Sequence, residues 1–133
     1  MRPLQITLVV IGVFQLVLGV LFVAAPAFAA SMFDLTPAAP DWANWLFAMM
    51  GARFGGFAYG MFVAARDPRR HVGWIDAMIG IQLVDWVATI GALIAGSVTL
   101  GQVTTASFMP VVFIAALVWF HPRRRAAAAV PSA

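Results

Sequence analysis

Two residues of opposite charge stand where charge is costly. Arg53 lies within one long apolar run and Asp85 within the next, separated by the charge-dense hexapeptide RDPRRH at 66–71. If that hexapeptide turns between two antiparallel helices, each rising ~1.5 Å per residue, residue i faces about residue 138 − i. Arg53 is then matched with Asp85. An ionisable side chain inside an apolar helix marks a functional site by default, with its partner named. Around Asp85, the residues Met78, Gln82, Thr89, Ala92 and Gly96 recur at helical spacing and make one mixed polar and small face. Gln15, eleven residues beyond Leu4 in the first apolar run, comes to a similar depth. Gln15, Arg53, Gln82, Asp85 and Thr89 therefore form a candidate midplane polar layer with two readings. It is a hydrogen-bonded network that fixes helix order, or a pocket for a ligand or proton.

The elements that would position these residues follow from composition. The chain has 133 residues, 63% of them hydrophobic and 10% charged, with no Lys, Glu or Cys. A soluble domain carries about 25% charged residues, so the expected class is a polytopic membrane protein. Without cysteine, disulfide, thiol redox and cysteine-metal chemistry are all excluded. A helix needs about 17–25 apolar residues to cross a hydrocarbon core ~30 Å thick. Four segments qualify, near 4–25, 42–64, 73–96 and 105–121. Pro26, Pro37 and Pro40 punctuate the first connection, Asp67-Pro68 the second, and Gly96, Ser97, Gly101 and Thr104 the third.

The charges then set the topology. Arg2 precedes the first segment, Arg66, Arg69 and Arg70 sit between the second and third, and Arg123, Arg124 and Arg125 follow the fourth. The opposite connections hold only Asp34 and Asp41. By the positive-inside rule both termini are cytoplasmic, with Trp42 and Trp45 at the outer interface and Trp74 and Trp119 at the inner one. A secretory leader ending at Ala27-Phe28-Ala29 is the competing reading of the N-terminus; cleavage there would leave three helices and an external N-terminus. The apolar run of roughly twenty residues exceeds the ~7–15 of a leader core, and Gly12, Gln15 and Gly19 share one helical face, so the uncleaved form is favoured.

Helix 2 carries two small-residue stripes, one with Gly56 and Gly60 beside Met49 and Arg53, the other with Gly51, Gly55 and Ala58, on which other backbones can approach closely. Asp76 lies close to the cytoplasmic end of helix 3 and is expected to answer Arg66, Arg69 or Arg70 there. His71 and His121 read as solvated interface residues, and no metal site is expected. Trp86 at mid-depth reads as core packing, with stacking on Arg53 or a planar ligand as the alternative. No P-loop, dinucleotide fingerprint, H-E-x-x-H or G-x-S-x-G occurs, so no catalytic residue is assigned. The arginine clusters suit anionic lipid head groups at the cytoplasmic face, and nucleic acid is not needed to explain them.

The segment GARFGGFAYG from Gly51 to Gly60, the basic turn RDPRRH, the short lead into helix 1 and the overall length resemble the DoxX-like superfamily of small four-helix bacterial membrane proteins. The resemblance covers nearly the whole chain. It implies a four-helix fold and, from relatives linked to quinone-coupled sulfur oxidation or oxidative-stress complexes, an accessory redox role. This chain has no cysteine for the sulfur step, and no family catalytic residue is carried over.

The expected fold is all-α, a four-helix antiparallel transmembrane bundle over residues 1–125 with N and C termini cytoplasmic and a disordered tail at 126–133. The expected location is the bacterial cytoplasmic membrane. The expected role is a non-catalytic accessory or structural subunit, with a membrane-protein partner or a homo-oligomer as its assembly. The alternative is a small transporter or a quinone-binding, redox-associated protein using the midplane layer. No other cofactor is expected.

Overall fold

The computed structural model describes residues 2–35, 40 and 42–123. The expected tail at 126–133, and with it Asp41, Arg124 and Arg125, lies outside the described residues. Those described are all-α: α1 (Arg2–Ala24), α2 (Pro26–Met32), α3 (Trp42–Arg66), α4 (Val72–Ile94) and α5 (Thr104–Trp119), with no strand among them. α1, α3 and α4 are long and apolar enough to cross a membrane. α5, expected as a fourth span, is apolar but only 16 residues long. It stops because Pro122 disfavours helical geometry in the residue before it.

α2 was not expected. Pro26 ends α1 as anticipated, yet the chain resumes a helix after a single non-helical residue, Ala25. Proline at a first helical position removes only an N–H that has no intrahelical partner, and its fixed φ suits the new helix. α2 closes at Asp34, whose φ of 53° is left-handed, with Leu35 N–H donating to Ala30 and Asp34 N–H to Ser31. The same six-to-one and five-to-two pairing ends α4 at Gly96, with φ of 70°, through Ser97 N–H to Ala92 and Gly96 N–H to Leu93. Gln102 ties these two helix ends together. Its amide donates to the Asp34 carbonyl at 3.1 Å and accepts from Thr99 N–H at 2.8 Å.

These ties define a far end of the molecule. At the near end, which holds the start of α1 and the α3–α4 turn, the four long helices share one apolar core. Leu4, Leu8 and Ile11 of α1 meet Met61, Ala64 and Ala65 of α3, Ile75 and Met78 of α4, and Phe113 and Leu117 of α5. Phe14 meets Phe113 edge-on at 5.5 Å, and the Gln5 amide donates to the Ala65 carbonyl. Away from that core the helices pair off. α1 runs along α3, and their backbones come closest at Gly19 and Gly51, where a Cβ on Gly51 would lie 2.7 Å from the Gly19 carbonyl oxygen. Beyond this crossing Phe22 gathers Phe33, Phe47 and Phe54, binding α1, α3 and the end of α2 into one aromatic cluster. α4 pairs with α5, and the Trp86 indole N–H donates to the Ser107 carbonyl at 2.9 Å.

The crossing generates a test. Gly51→Val is expected to lower the thermal midpoint in detergent by the equivalent of ~1–3 kcal/mol, as overpacking does. At Gly55 a Cβ would meet nothing within 4 Å, so Gly55→Ala should leave the midpoint unchanged or raise it, by up to the ~1 kcal/mol helix-propensity difference. Differential scanning fluorimetry of both variants checks the contrast.

Candidate functional site

α3 and α4 are joined by a short turn in which Asp67 Oδ1 accepts the Arg70 N–H at 3.2 Å. Just past it, the Trp74 ring lies over Gly60, so close that a Cβ on Gly60 would collide with it. This contact fixes a level and a direction on both helices. Arg53 is seven residues before Gly60 and Asp85 eleven residues after Trp74. At ~100° per residue each returns to within about 20° of the line of that contact. Both therefore lie on the flanks that α3 and α4 turn toward one another.

The flanks do not close over them. Arg53 and Asp85 are both exposed and form no ion pair among the described residues; the Arg53 guanidinium instead donates to the Met49 carbonyl of its own helix at 3.3 Å. That bond draws the guanidinium one turn toward the far end, to the level of Met49, which is eleven residues from Gly60 as Asp85 is from Trp74. Guanidinium and carboxylate thus stand at about the same height, ~16 Å above the Gly60–Trp74 contact. Gly56 on α3 and Gly80 on α4 face open space, and Ala77, Gly80, Ile81, Val84 and Asp85 line a shallow groove along α4.

The other members of the expected layer go elsewhere. Gln15 and Gln82 are buried, at 3% and 5% exposure. The Gln82 amide lies 3.5 Å from Met78 Sδ, and the buried Gln15 Oε1 has no hydrogen-bond partner. Thr89 donates to the Asp85 carbonyl one turn back. The layer is therefore divided between a buried amide pair and an exposed charged pair. Among the helix-2 glycines, Gly51 and Gly60 sit at close contacts, with α1 and Trp74 respectively, whereas Gly55 and Gly56 meet open space.

Asp76 forms a second cluster, at the near end. Its Oδ1 accepts from His121 Nε2 at 2.9 Å, and its Oδ2 pairs with Arg123 at 3.2 Å. His121 Nδ1 accepts the Arg123 backbone N–H at 3.3 Å, which requires the proton to be on Nε2. His121 is thus buried rather than solvated, and Asp76 is engaged by the segment after α5, while Arg66, Arg69 and Arg70 stay exposed on the turn. Residues 45 apart in sequence carry no local spacing signal, so this cluster was not legible before folding. No group of three or more metal-binding side chains occurs among the described residues. No family model, curated protein or solved structure matches the chain.

Asp76→Ala should destabilise the near end by ~1–3 kcal/mol, because it leaves the buried His121 N–H without an acceptor. Arg123→Ala, removing an ion-pair partner that is 73% exposed, should cost less than ~1 kcal/mol. Thermal unfolding in detergent compares the two.

Proposed function

We propose that the chain is a non-catalytic subunit of a membrane assembly, a multi-pass protein of the bacterial cytoplasmic membrane that works by packing its α3–α4 flank against other membrane helices. In this reading α1, α3, α4 and α5 make an antiparallel transmembrane bundle with both termini cytoplasmic. Arg2, Arg66, Arg69, Arg70 and Arg123 all fall at the near end, the side that positive charge would hold in the cytoplasm against anionic lipid head groups. α5 is short for a span, and bilayers absorb a few ångströms of such mismatch at fractions of a kcal/mol per ångström. The likeness to DoxX-like proteins belongs to this reading, as four-helix membrane proteins of about this size.

The observation that carries it is the state of Arg53. An arginine at mid-span whose partner among the described residues is a carbonyl of its own helix would face hydrocarbon, at ~2.5–3.5 kcal/mol on insertion scales and more in simulations. Asp85 adds a second such charge on the neighbouring helix. A covering protein surface removes that penalty, and the uncovered Gly56 and Gly80 leave room for one to approach. The transporter or quinone reading needs Gln15, Gln82, Arg53 and Asp85 around one cavity; the amides are buried and the charges exposed, which favours assembly.

Arg53→Leu separates the readings. An assembly subunit carrying this change should still insert and keep the thermal midpoint of the isolated chain, yet migrate at lower mass in native gels of mildly solubilised membranes. Unchanged native mass for Arg53→Leu would remove the support for assembly through this flank.

A further inference from the structure

We propose that a second copy of this chain covers the α3–α4 flank, the Arg53 of each copy pairing with the partner's Asp85. This deepens the assembly reading above and rests on it, naming the partner that the flank itself describes.

A surface that covers the flank must offer an acid to Arg53 and a base to Asp85. It must offer both at one height, since the guanidinium and the carboxylate stand about level above the Gly60–Trp74 contact. A partner with one charge would leave the other in hydrocarbon. Lipid head groups of either leaflet are held at the interface, whereas the Arg53 guanidinium, at the level of Met49, lies seven residues into α3, ~10 Å along it and inside a ~30 Å core.

The chain's own flank meets these demands. In a two-fold interface the same patch serves both copies, so contact of residue i with residue j is repeated as j with i. When the two-fold axis runs along the membrane normal, every residue keeps its depth in both copies. Opposite charges that are level within one copy are then level across the pair, and both bridges form at once. The backbones can come close enough, because Gly56 and Gly80 have nothing within 4 Å of where a Cβ would be. The groove of Ala77, Gly80, Ile81 and Val84 on α4, with Asp85 at its upper end, is shallow and apolar enough to seat the partner's α3. Two bridges buried this way are screened from water, and removing one member of each leaves the other charge unpaired.

The test uses the full chain, with two affinity tags, co-expressed and reconstituted in native-lipid nanodiscs. Wild-type copies should co-purify. Arg53→Asp and Asp85→Arg, each paired with itself, should lose co-purification at least about tenfold, since like charges then meet at both positions. Arg53→Asp paired with Asp85→Arg should restore it, because the mixed pair alone rebuilds both bridges, one of original sign and one reversed. A bridge within one copy could not be rescued this way. If either variant fails to accumulate alone, co-expression should restore both; failure to accumulate together overturns the proposal. So does a wild-type chain that does not self-associate, or single variants that associate as well as wild type. A benzophenone side chain placed at the exposed Val84 separates this from failure of the assembly reading itself. A light-induced adduct of twice the 14.2 kDa chain mass supports the second copy. Adducts with other proteins alone overturn the second copy and leave the assembly reading standing; adducts with lipid alone overturn both.

Discussion

Trp74 stacked over Gly60 decides how the two halves of this molecule meet. Only glycine leaves the ring room to lie against α3, and with the ring in place α4 is anchored to α3 at the near end, where Met61, Ala64, Ile75 and Met78 are buried. Each half has its own internal fastening. α1 and α3 are locked by the Gly19–Gly51 crossing and the Phe22 cluster, and α4 and α5 are joined through Trp86 and Ser107. Gln102, reaching the Asp34 carbonyl, is a thin tie between the halves at the far end.

From that arrangement comes the exposure of Arg53 and Asp85. The helical period returns both residues close to the line of the Gly60–Trp74 contact, yet the guanidinium donates to the Met49 carbonyl of its own helix rather than to Asp85. In water this would be of no consequence. In a bilayer the same geometry makes the flank incomplete, since hydrocarbon offers neither charge a hydrogen bond. The Asp76 cluster shows the opposite solution within the same chain. There the carboxylate lies at the near end, beside a buried histidine and an exposed arginine that answer both of its oxygens.

Much of this was readable before the fold was known, and the parts that were not share a cause. Helix existence followed from long apolar runs, and Pro26, Asp67-Pro68 and Gly96 marked their ends to within a few residues, because backbone sterics act locally. α2 was missed because proline both ends one helix and starts another, and composition alone does not say which follows. The reciprocal numbering of a helical hairpin predicts a common depth for Arg53 and Asp85 and an ion pair there, and the ion pair does not form. Depth depends on rise per residue; separation depends on how two helices diverge, which the bulk of Trp74 and the near-end core control.

The sequence by itself determined the all-α class and the long apolar helices, since these depend on hydrophobicity and backbone sterics along the chain. Only the tertiary structure decided which polar groups meet. It buried Gln15 and Gln82, left Arg53 and Asp85 open, and gave Asp76 to His121 and Arg123 rather than to the nearer arginines of the turn. Those outcomes are set by helix azimuth and splay, which arise from side-chain packing between segments distant in sequence and are encoded in no single segment.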